Sequence, residues 1–148
     1  MVTILVLLYC LYGLFDGIRE GNYTHFKNMS NEKLNMPDEY LLFVLQRTTF
    51  LVVILILSYI ITKGYYEIPL LSVLVTLTSS LLSFSYFHNG MYSTVRNNLN
   101  SRIYKKRWKD ESYETTALIS YSYKERLVMF ILGISITFIY DIFTLFVS

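Results

Sequence analysis

Four long apolar runs are the feature that most limits what this chain can fold into. Val2–Phe15 carries no charge, and with Gly17 and Ile18 it makes a first run. Tyr40–Thr62 follows, uncharged from Thr48 onward and coated with Leu, Val and Ile on most of its circumference. Ile68–Tyr92 and Leu127–Val147 are the third and fourth. A run of about 20 apolar residues is what a helix needs to cross roughly 30 Å of hydrocarbon. The expected fold class is therefore all-α: an integral membrane bundle of four transmembrane helices in one domain, with spans at about 2–18, 41–62, 68–92 and 127–147. Composition agrees, since 16% of residues are charged, against roughly 25% in soluble domains. The first run lacks the basic start and small-residue cleavage site of a secretory signal, so it is read as a retained helix. It is also short, at ~22 Å for 15 residues, which puts Asp16 at the boundary.

The intervening segments are unequal. Residues 19–40 and 94–125 are long and polar, whereas Lys63-Gly64-Tyr65-Tyr66-Glu67 is a short reversing turn. The long segments and their flanks hold twelve Lys and Arg residues, and the turn holds Lys63 alone. Basic residues stay on the cytoplasmic side. Both long segments are therefore expected in the cytoplasm and both termini outside, in a cell inner membrane. The basic run Lys105-Lys106-Arg107-Trp108-Lys109 reads as this orientation signal, with Trp108 at headgroup level.

Orientation gathers the ionisable groups at one end. Asp16, Arg19 and Glu20 close the first span, Gln46 and Arg47 open the second, His88, Asn89, Tyr92 and Arg96 end the third, and Glu125 and Arg126 open the fourth. His88, Tyr92, Arg96 and Asn100 recur every four residues, on one helix face. Asp16 and Arg47 both lie ~22–24 Å below the outer end by helical rise. A charge in hydrocarbon is usually paired, so an Asp16–Arg47 ion pair is expected. In the third span Ser72, Thr76, Ser80, Ser83, Phe87 and Gly90 trace a mostly small stripe. Small residues let helices approach closely in lipid, which places this helix centrally.

Candidate catalytic groups are Asp16 or Glu20 as base and His88 as acid or base. Arg19, Arg47, Tyr92 and Arg96 are candidates for holding an anionic lipid headgroup. No cofactor is expected. Asp16, Glu20, His25 and His88 make a divalent metal a minor alternative, because they show no recognised ligand spacing. G-x-S-x-G, H-E-x-x-H and phosphate-cradling glycine loops are all missing from the sequence. Asp16-Gly17-Ile18-Arg19 lacks the further aspartates that phosphoalcohol transfer to lipids needs. The lone Cys10 excludes a disulfide within the chain.

The run from Phe87 through His88-Asn89-Gly90, Tyr92, Arg96, Leu99-Asn100, Tyr104 and Arg107-Trp108 to Ser112 resembles a segment of small uncharacterised membrane proteins of bacteria and their phages. There a His-Asp-Gly is followed by Tyr and Arg, then Leu-Asn, then Tyr before a basic–aromatic pair. Asn89 stands here in place of the acid. The resemblance implies no activity, only that the segment is a unit.

Size and the missing catalytic signatures point first to a non-enzymatic membrane component or oligomeric subunit with a polar site on its cytoplasmic face. The alternatives are an enzyme acting on a lipid headgroup or lipid phosphate, and a pore-forming, holin-like or transport protein. Expected partners are membrane lipid, further copies of the chain or a larger membrane complex, and no nucleic acid.

Overall fold

A computed structural model describes residues 1–29, 36–63, 69–104, 108 and 121–147. These residues form four helices: α1 (Val2–Met29), α2 (Met36–Lys63), α3 (Pro69–Leu99) and α4 (Tyr123–Val147). All four are long and apolar enough to cross a membrane, so the chain is an all-α, multi-pass membrane bundle. Residues 30–35, the turn at 64–68, the basic run apart from Trp108, and residues 110–120 of the second polar segment lie outside the described residues.

Two helices are longer than the hydropathy pattern suggests. Residues 20–29, expected to open a polar loop, continue α1 as far as Met29. Gly17 and Gly21 do not break this helix, because each faces the backbone of α3. Its carboxylates are paired inside the bundle rather than solvated at a helix end. α3 likewise runs past Tyr92 to Leu99. Asn100 then closes it, donating its backbone N–H to Arg96 O at 3.0 Å and accepting from the N–H of Arg102 and Ile103. α4 begins at Tyr123, ahead of its apolar run, because Ser122 and Glu125 form a capping box. Ser122 N donates to Glu125 Oε2 at 2.7 Å, and Glu125 N donates to Ser122 Oγ at 3.3 Å.

α3 is the central helix and packs on all three others. Against α1 the register is constant. A Cβ added to Gly13 would lie 3.1 Å from the Phe84 ring, one on Gly17 2.5 Å from His88 O, and one on Gly21 3.1 Å from Tyr92 O. Each pair differs by the same number of residues, so α1 and α3 run parallel. Three glycines at four-residue spacing clear one α1 face down to backbone, which is how helices reach close contact in lipid. α2 runs antiparallel to α1, with Phe50 stacked on Tyr12 at 4.3 Å and Phe43 edge-on to Tyr23. α4 runs antiparallel to α3, with Tyr140 beside Ser72 and Phe130 stacked on Tyr86.

The small stripe on α3 is buried as expected. Ser72, Thr76, Ser79, Ser80 and Ser83 are all inaccessible. Ser58 and Thr76 hydroxyls lie 2.8 Å apart, and Ser72 and Tyr140 hydroxyls 2.5 Å apart. Outside, Leu41, Val52, Ile56 and Ile60 on α2 and Ile139 and Leu145 on α4 are exposed, as lipid-facing residues should be. At the end holding both termini, Asp141 of α4 accepts the backbone N–H of Val2 and Thr3, each at 3.0 Å. It thereby caps α1 from another helix.

Candidate functional site

Three helices deliver one buried polar cluster. Asp16 and Glu20 lie one turn apart on the glycine-lined side of α1, so the close approach at Gly17 sets both carboxylates beside His88 of α3. Arg47 enters from α2. Asp16 is 2% exposed, Glu20 4% and His88 7%. Arg47 Nε donates to Asp16 Oδ2 at 2.5 Å, so the expected pair between antiparallel helices forms. The same guanidinium also donates through Nη2 to Glu20 Oε2 and lies 2.8 Å from His88 Nε2. His88 Nε2 is in turn 2.8 Å from Glu20 Oε2 and 3.5 Å from Asp16 Oδ2. Arg47 therefore sits between all three acid–base groups.

Neighbours fix the orientation of these groups. His88 Nδ1 is 3.0 Å from Asn89 Oδ1. A ring protonated at Nδ1 donates there and turns its Nε2 lone pair to the cluster. Phe84 stacks on the His88 ring at 5.2 Å, and the Arg47 guanidinium lies 5.8 Å from the same Phe84 ring. Arg19 Nη2 donates to the other Asp16 oxygen at 2.7 Å from the rim, where its side chain is 45% exposed. Two carboxylates thus face two guanidiniums, so their formal charges balance. This matters because an uncompensated ion in a dry interior costs several kcal/mol.

Tyr92 and Arg96 form a neighbouring group further along α3. Arg96 Nη1 donates to Tyr92 OH at 2.9 Å, and its guanidinium stacks 3.9 Å above the Tyr104 ring. The Tyr92 ring stacks on His88 at 6.4 Å, which joins the two groups. His25 was expected on a loop that would have to fold back; it lies on α1, edge-on to Tyr104. Among the described residues the set with metal-ligand geometry is Asp16, Glu20 and His88, whose ligand atoms lie within 4.8 Å of one another, and it does not include His25.

The sequence did not show what three contributors do. The Gly13–Gly17–Gly21 ladder was legible as a four-residue glycine repeat. Asn89 was read as a polar helix-end residue in place of an acid, whereas it is the partner of His88. Trp108, expected at headgroup level, covers Gly90, where an added Cβ would collide with the indole ring, and Arg126 Nη2 donates to the Trp108 carbonyl at 3.2 Å. No repeat or spacing announces that contact, because it closes a long segment. Comparison with family models, with curated protein sequences and with solved structures finds no match to this chain.

Proposed function

We propose that this chain is a non-enzymatic component of a cell inner membrane, in which the Asp16–Glu20–Arg47–His88 cluster sets the register of α1, α2 and α3 at the cytoplasmic end. The observation that carries this reading is the position of Arg47. Its guanidinium uses its donors on both carboxylates and faces His88 Nε2, so these groups are engaged with each other. A general base or acid needs a free lone pair or proton directed at a substrate. Buried ion pairs seldom add net stability over apolar packing, but they penalise any arrangement that separates them. The Lys and Arg distribution supports the cytoplasmic placement of this end.

The test is a comparison of two variants in detergent. Arg47→Met leaves two buried carboxylates without their cation, and the bundle is expected to unfold far more readily than wild type. Adding Asp16→Asn and Glu20→Gln removes the stranded charges, and folding is expected to recover. If Arg47→Met is as stable as wild type, or if the triple variant is no better than the single one, the reading fails.

A second reading has one observation in its favour. The 2.8 and 3.5 Å separations from His88 Nε2 to the two carboxylates match the spacing of ligand atoms around an ion bound at about 2.0–2.2 Å. Asn89 on His88 Nδ1 is the outer partner such a ligand uses. Arg47 would have to swing aside, because its Nη2 is 2.8 Å from His88 Nε2. Zinc or manganese raising the unfolding temperature of wild type would favour this reading, and no shift in either wild type or Arg47→Met would remove it.

A further inference from the structure

A groove of about 360 Å³ opens on the outer surface between α1 and α2. Tyr12 and Arg19 line it from α1, and Leu45, Gln46, Phe50 and Val53 from α2. Its two ends differ in chemistry. At the end nearer the polar cluster stand the Arg19 guanidinium and the exposed Gln46 amide. Leu45 stands beside them, and from Gln46 the groove runs ~10 Å by helical rise toward mid-bundle, past Phe50 to Val53. Phe50 stacked on Tyr12 makes the floor. The Tyr12 hydroxyl is buried without a hydrogen-bond partner.

Arg19 differs from Arg47 in what it has left to give. Arg47 is 19% exposed and engaged on three sides, whereas Arg19 is 45% exposed and its hydrogen bond to Asp16 uses one nitrogen. A guanidinium has five N–H donors and suits phosphate oxygens. Asp16 holds Arg19 through Nη2 from the inner side, so the other N–H donors of this half-exposed guanidinium stand toward the groove mouth. The combination of a cation at one end and an apolar trough leading into the bilayer has the polarity of a phospholipid.

We infer that this groove holds one anionic phospholipid, its phosphate on Arg19 and Gln46 and one acyl chain along Leu45, Phe50 and Val53. The lipid needs no part of the buried cluster beyond Arg19, so this inference stands apart from the role proposed for Arg47 and His88. A zwitterionic lipid carries the same phosphate, but its own ammonium offsets the attraction to Arg19.

Native mass spectrometry of the full chain, with phosphatidylglycerol or phosphatidylcholine of matched acyl chains, tests this. Wild type is expected to retain one phosphatidylglycerol about fivefold more strongly than phosphatidylcholine, the scale of one basic residue near the membrane surface. Arg19→Gln should erase the preference and Arg19→Lys should keep most of it. Thr49 also lines the groove and is exposed, so Thr49→Trp should fill it and lose both lipids. Equal retention of the two lipids by wild type overturns the inference. So does a preference that survives Arg19→Gln, or lipid that survives Thr49→Trp, in variants whose unfolding temperature matches wild type. Displacement of the lipid by excess soluble glycerol phosphate also overturns it, because the site would then be one for a free phosphate ester.

Discussion

The two halves of α3 are both polar and both buried, yet they do opposite work. The half toward the termini carries Ser72, Thr76, Ser79, Ser80 and Ser83, and the other half carries His88 and Asn89. A hydroxyl in a helix can bond its own backbone, as Thr76 does to Ser72 O at 2.7 Å. Thr76 and Ser72 also meet hydroxyls on α2 and α4, but at Ser79 and Ser80 the value to the bundle is mainly small size. A carboxylate or guanidinium has no such local partner, so Asp16, Glu20 and Arg47 must find each other across helices. Hydroxyls permit close packing at many registers, whereas the charges accept few.

Substitutions can break this contrast. The largest effect is expected from Arg47→Met, a loss of about 3–5 kcal/mol from leaving buried carboxylates unpaired, read from unfolding in detergent. A loss under 1 kcal/mol would mean the cluster is wet and the contrast unfounded. Gly17→Ala comes next. The new methyl would stand 2.5 Å from His88 O, a backbone atom that cannot rotate away. Overpacking of this kind costs about 1–3 kcal/mol, and the same unfolding assay should show it, together with weakened coupling between Glu20 and His88 in a double-mutant cycle. Asp141→Ala should cost about 1 kcal/mol, the usual worth of a helix cap, and amide exchange should quicken at Val2 and Thr3 while the far end of α1 is unchanged. Smallest is Ser80→Ala, expected within about 0.5 kcal/mol of wild type. A large loss there would show that the hydroxyl, rather than its size, holds α3 in place.

Particular residues show how far the sequence could be read. Asp16 and Arg47 were matched by depth alone, because helical rise converts residue number into distance from a shared end. Helical spacing put Glu20 on the same face as Asp16 and toward His88, as observed, but its sharing of Arg47 with Asp16 was not foreseeable. That depends on how far α1 sinks toward α3 at Gly17. His25 was misplaced because polar residues after Asp16 looked like a loop. The helix continues because Arg19 and Glu20 meet partners and the Gly17–Gly21 face packs on α3, and hydropathy along a chain does not register partners.

What the sequence determined by itself was the number of crossings, their approximate limits and the gathering of charge at one end. These follow from a transfer free energy that adds up residue by residue along the chain. The tertiary structure decided which charges meet, which glycine faces which carbonyl, and that Arg47 and Arg19 together stand against Asp16 and Glu20. Those outcomes depend on the rotation and register of one helix against another, and a shift of a few ångströms changes every pairing while leaving hydropathy untouched.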